Sequence, residues 1–148
     1  MSLADKVMES LKEAMKAKDE ARKRTLRSIK SEILLLQTDG SGEAITEEKE
    51  IKLLQRMVKQ REESANMYQQ NGMPEKAAPE LEEMAILREF LPKPFTPEEL
   101  EVILGGIIAE VGATSAKDMG KVMALANQRA QGRAEGKVIS EMVKKLLS

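Results

Sequence analysis

Apolar residues recur along this chain at intervals of three and four for nearly its whole length, the spacing that lines one face of an α-helix. Leu3, Val7, Leu11, Ala14 and Met15 set out a first helix over about 3–18, opened by a capping box from Ser2 to Asp5. Lys18-Asp19-Glu20 breaks the pattern, and Leu26, Ile29, Ile33 and Leu36 continue it in a second helix that stops at Thr38-Asp39-Gly40-Ser41-Gly42. Thr46 is a good N-cap for a long helix carrying Ile51, Leu54, Val58, Ala65 and Tyr68, which Asn71-Gly72 ends. Pro79 is expected to start a fourth helix, with Leu81, Met84, Leu87, Phe90 and Leu91 facing the core.

Pro92, Pro94 and Pro97 then mark a stiff, extended junction. Beyond it, Thr96-Pro97-Glu98-Glu99 is a near-complete helix start, and Leu100, Ile103, Leu104, Ile107 and Ile108 form an apolar stripe as far as Gly112. Gly105 and Gly106 each cost that helix about 1 kcal/mol relative to alanine, which would be repaid by a close helix crossing. Ser115 and Asp118 repeat the capping-box spacing before a helix over about 116–131 that buries Met119, Val122, Met123, Ala126 and Ala130. A last helix over 136–147 buries Val138 or Ile139, with Met142, Val143 and Leu146. The expected fold is all-α: about four helices in an N-terminal domain over 1–92, a Pro-rich linker at 93–96, and a small three-helix domain over 97–148.

Composition agrees with a helical protein and narrows its chemistry. The 148 residues are 41% hydrophobic but only 2% aromatic, with ten methionines, so the core is aliphatic and adaptable. With neither cysteine nor histidine, thiolate chemistry, disulfides and the commonest general base and metal ligand are missing. No metalloprotease, nucleophile-elbow, phosphate-loop or dinucleotide motif occurs. No cofactor is expected. No apolar run approaches the roughly 20 residues of a membrane span, and the early Asp5 and Glu9 do not fit a secretory signal, so a cytoplasmic protein without a membrane partner is expected.

The formal net charge is −1, so any polyanion surface has to be local. Residues 1–37 carry nine basic against six acidic residues, with Lys23, Arg27 and Lys30 along one helix flank; residues 38–96 are acidic and read as scaffold. Lys59 and Arg61 point to different sides of the third helix, and Arg61, nearer its apolar stripe, suits an interior salt bridge. The most pointed cluster is Met119-Gly120-Lys121-Val122-Met123 followed by Gly132-Arg133-Ala134-Glu135-Gly136-Lys137. Gly132 can cap one helix in the left-handed conformation, and Gly136 lets the chain bend and leaves its amide uncovered. Arg133 and Lys137 then stand beside a helix start, where a phosphate is favoured. An ordinary solvated helix connection fits the same residues.

The run from Asp118 to Leu147, with Met119, Gly120, Lys121, Met123, Gly132-Arg133-Ala134, Gly136, Val143 and Leu147, resembles the tail domain of the GatB/YqeY family. Residues 25–33, 58–64 and 90–99 resemble the same family more loosely. One departure is Glu135, where the family more often has aspartate, a better N-cap. That family includes free-standing YqeY-like proteins and the C-terminal domain of the GatB subunit of the tRNA-dependent amidotransferases. The resemblance implies tRNA as partner, held through Lys121, Gly132, Arg133, Gly136 and Lys137, with Lys117, Lys144, Arg27 and Lys30 in support. It also implies a place in a tRNA-amidating or aminoacylating complex. Two alternatives stand beside it: a component of a glutamine-dependent carbon–nitrogen ligase with no active site of its own, and a protein–protein interaction module.

Overall fold

The computed structural model describes all residues, 1–148, as seven α-helices and one short 3-10 turn, with no strand. The chain divides into two compact units, Met1–Leu91 and Pro92–Ser148. No helix is long and apolar enough to cross a membrane.

The first unit contains α1 (Leu3–Ala17), α2 (Glu20–Gln37), α3 (Glu47–Gln70) and α4 (Pro74–Arg88). Ser2 and Asp5 form the expected capping box, and Glu50 of α3 accepts a further bond from the Leu3 amide at 2.9 Å. Each helix contributes to one core: Leu3 and Val7, Leu26 and Ile29, Leu54 and Met57, Met84 and Leu87. In α3 the buried stripe is wider than the single line expected, since Leu53 and Met57 join Leu54 and Val58 while Ile51 and Tyr68 are only half-buried. Met15 of α1 is exposed.

The start of α4 differs from the expectation. Pro74, not Pro79, occupies its first turn, where a missing N–H costs nothing. Pro79 lies inside the helix on its exposed side, leaving the Glu75 carbonyl without its usual i+4 donor at a position open to solvent. Leu81 consequently falls outside the buried stripe, and Ala77, Glu83 and Ile86 fall inside it.

The second unit contains α5 (Pro97–Val111), the 3-10 turn Ala116–Asp118, α6 (Met119–Ala130) and α7 (Gly136–Leu147). The Thr96/Glu99 capping box forms as expected. Leu100, Leu104 and Ile107 meet Val122, Ala126 and Ala130 of α6 and Ile139 and Val143 of α7. Ile139, not Val138, is the buried residue of that pair. Met119 and Met123 are half-buried rather than buried.

Two other expectations change here. Gly105 and Gly106 are exposed opposite the buried face of α5, and a Cβ at either position meets nothing within 4 Å, so no neighbouring backbone of the chain requires them. Ser115 and Asp118 do not form a capping box. The Ser115 hydroxyl accepts weakly from Lys117 N–H at 3.4 Å, while Asp118 accepts from Thr114 N–H at 3.0 Å and thereby tightens the turn after α5.

Candidate nucleic-acid interface

The turn between α6 and α7 is built from two successive left-handed residues. Gln131 (φ 49°) and Gly132 (φ 81°) reverse the chain, and the Arg133 amide donates to the Ala130 carbonyl at 2.9 Å. Gly132 is thus a turn requirement. Gly136 is not: it is the first residue of α7 with an ordinary φ, and a Cβ there meets nothing within 4 Å. Glu135 is the N-cap and makes no side-chain capping bond, in keeping with its longer reach.

Arg133 faces inward on its own unit. Its carbonyl accepts from the Phe95 amide at 2.8 Å, its Nε donates to the Lys93 carbonyl at 2.9 Å, and its guanidinium carbon lies 3.9 Å from the centre of the Phe95 ring. One side chain thereby fastens the Pro-rich stretch 93–96 to the turn, and Phe95 packs against the tail core. The Glu99 carboxylate is held below its usual range by the Thr96 amide and hydroxyl, with the positive charges of Arg133 and Lys93 nearby assisting.

The tail's other arginine is also committed within the chain. Arg129 makes a two-pronged bond to Glu110 at 2.5 and 2.8 Å, which lowers the Glu110 pKa. Every lysine after α5, by contrast, is exposed: Lys117 in the 3-10 turn, Lys121 in the first turn of α6, and Lys137, Lys144 and Lys145 on α7. Lys137 and Lys144 are seven residues apart on one face of α7, with Glu141 between them. Acidic residues concentrate on α5, which has Glu98, Glu99, Glu101 and Glu110 and no base. The unit is therefore polarised, acidic on its first helix and basic on the last two.

In the first unit, the expected ridge of Lys23, Arg27 and Lys30 is divided. Lys23 is paired with Glu20 at 2.6 Å. Lys30 flanks an apolar groove lined by Val7, Met8, Ile33 and Leu34. Arg27 instead lines a polar concavity with Arg24, Ser28, Ser31, Glu32 and, from α3, Arg61. Arg61 lies 3.8 Å from the buried Glu83 of α4, and Arg24 lies 3.3 Å from its other oxygen. Sequence reasoning missed Arg24, Ser28 and Ser31, although with Arg27 they follow the spacing i, i+3, i+4, i+7 that places residues on one helix face.

No group of three or more histidines, cysteines, aspartates or glutamates is placed to hold a metal ion. A family model described as Yqey-like protein matches residues 4–147. Among curated proteins, nothing matches the chain.

Proposed function

The chain belongs to the YqeY-like family, and from that membership and the lysines of its tail we propose that it is an accessory protein that holds the backbone of a tRNA. The observation that carries this reading is the division of labour among the tail's cations. Its arginines are spent inside the unit, on Glu110, Lys93 and Phe95, while the lysines of α6, α7 and the turn before them are all exposed, Lys137 being the one that also has a partner within the chain. Flexible ammonium groups on a polarised surface suit phosphates, whose neutralisation releases counterions whatever the base sequence.

Lys117, Lys121, Lys137 and Lys144 are the residues assigned to the phosphates. Arg133 is assigned a different part: it frames the turn by binding Lys93 and stacking on Phe95. Bases have little to stack on. Phe95 is covered by Arg133, Phe90 is half-buried in the first unit, and Tyr68 is the one remaining aromatic residue. Recognition therefore rests on the shape and backbone of a folded RNA. The likeness of 118–147 to the tail of the amidotransferase GatB protein favours tRNA among folded RNAs. It also favours a cytoplasmic role beside a tRNA-amidating complex, whose chemistry belongs to the partner.

The test is a titration of the isotopically labelled chain with bulk tRNA, followed by NMR. Amides around Lys117, Lys121, Lys137 and Lys144 are expected to shift first and to saturate. Shifts confined to other surfaces, or none at low salt, would overturn the proposal.

A further inference from the structure

The concavity beside α2 is supplied with hydrogen-bond donors far beyond what its carboxylates accept. It has a volume of about 350 Å³ and is lined by Arg24, Arg27, Ser28, Ser31, Glu32 and Arg61. The other arginines of this unit that form ion pairs each have a carboxylate close by: Glu89 lies 2.7 Å from Arg22, and Glu32, at the edge of the concavity, lies 2.8 Å from Arg56. Around the concavity that matching fails. Glu83 alone serves both Arg24 and Arg61, the latter at 3.8 Å, which is longer than a hydrogen bond. The Arg61 side chain is only 18% exposed, and its one short polar contact is to Gln60 at 3.4 Å.

Arg27 is exposed and has no hydrogen bond, ion pair or ring contact within the chain. The Ser28 and Ser31 hydroxyls are likewise uncommitted. Glu32, the one carboxylate in the lining, is already neutralised by Arg56. What remains is positive charge, several guanidinium N–H groups and two hydroxyls around one open space with no ring to grip an organic moiety. A carboxylate has too few oxygens to use this set; a phosphoryl group has enough.

We infer that this concavity is a phosphoryl-binding site, read by Arg24, Arg27 and Arg61 with Ser28 and Ser31. The site lies in the first unit and does not depend on the tail lysines. The source of the phosphoryl group is either the RNA backbone or a small phosphorylated molecule, and both present the same chemistry.

Pyrophosphate added to the full chain at low salt, with the arginine Nε–H resonances followed by NMR, tests it. The Arg24, Arg27 and Arg61 signals are expected to move together and saturate while that of Arg129 stays in place. Arg27→Gln removes no contact within the chain, so it keeps the helical circular dichroism and weakens pyrophosphate about tenfold. In Lys121→Ala/Lys137→Ala the Arg24, Arg27 and Arg61 signals still move with pyrophosphate, which keeps failure of the tail reading separate from failure of this one. If Arg27→Gln also weakens bulk tRNA, the phosphoryl group is the RNA's; if tRNA binding is unchanged, a small phosphorylated molecule is the ligand. Arginine signals that do not move, or equal pyrophosphate affinity in native and Arg27→Gln chains, overturn the inference.

Discussion

In the N-terminal unit, arginines join helix to helix or helix to helix end through carboxylates. Arg56 of α3 reaches Glu32 of α2, Arg22 of α2 reaches Glu89 just past α4, and Arg24 and Arg61 share Glu83 of α4. In the tail, Arg129 does the same between α6 and α5, but Arg133 joins a turn to a backbone carbonyl and a ring. The contrast follows from size. Four helices of 15 to 24 residues enclose a core large enough to fix their own packing, with ion pairs at the margins. Three helices of 12 to 15 residues do not, and the tail enlarges its core by binding the Pro-rich stretch back onto itself through Arg133. Which cations face an outside partner therefore differs: exposed lysines in the tail, a surplus of arginine beside α2.

The largest expected effect breaks the pairing pattern of the first unit. Glu83→Ala leaves two guanidiniums, one of them mostly buried, without their carboxylate, and costs about 2–3 kcal/mol in urea unfolding. Glu48→Ala, which breaks an exposed pair with Lys52, costs under about 0.5 kcal/mol in the same assay. In the tail, Arg133→Ala loses the bond to Lys93 and the stacking on Phe95, an expected cost of about 1–2 kcal/mol. Arg133→Lys restores little of it, because an ammonium lacks the planar fork. The Glu99 carboxyl, followed by NMR in Arg133→Ala, moves up toward its usual range while its Thr96 bonds keep it lowered. On α5, Gly105→Ala is expected to stabilise the chain by about 0.5–1 kcal/mol, since the position is helical, exposed and open to a methyl group.

The smallest effect is on acid stability. Asp5, Glu20, Asp39, Glu99 and Glu110 all titrate below their usual range, each mainly through a hydrogen bond to a neighbour: Ser2, Lys23, Ser41, Thr96 and Arg129 respectively. A lowered folded pKa contributes stability that is complete above the unfolded value and is lost as pH falls through the folded one. Midpoints of thermal unfolding should thus hold steady from about pH 8 to 5.5, where no histidine titrates, and decline below about pH 4.

Local chemistry was legible in the sequence. Ser2 with Asp5 and Thr96 with Glu99 close their capping boxes within three residues, so spacing alone locates them. Leu3, Val7 and Ala14 of α1 and Leu26, Ile29 and Ile33 of α2 follow from periodicity for the same reason, whereas Met15 is exposed and the buried Thr25 was not foreseen. Where two local solutions compete, sequence chose badly: Pro74 and Pro79 are both acceptable at a helix start, and the helix begins at Pro74, which brings Ala77 into the buried face. Arg61 was legible as an interior ion-pair residue, though nothing in its neighbourhood names Glu83, 22 positions on. Arg133 shows the ambiguity most clearly. A basic residue after a left-handed glycine looks alike whether it meets a phosphate or a carbonyl 40 residues away, and here the carbonyl of Lys93 takes it.

The most direct test of the central claim is the salt dependence of equilibrium binding to bulk tRNA, measured for the native chain and for a variant with Lys117, Lys121, Lys137 and Lys144 all changed to alanine. These lysines are exposed, so the variant is expected to keep its helical content. If they hold the RNA backbone, the native chain shows a steep loss of affinity with salt, and the variant's logarithmic slope is shallower by about 3 to 4, roughly 0.9 for each phosphate contact removed. A native slope near zero, or the same slope in both proteins, would contradict the account.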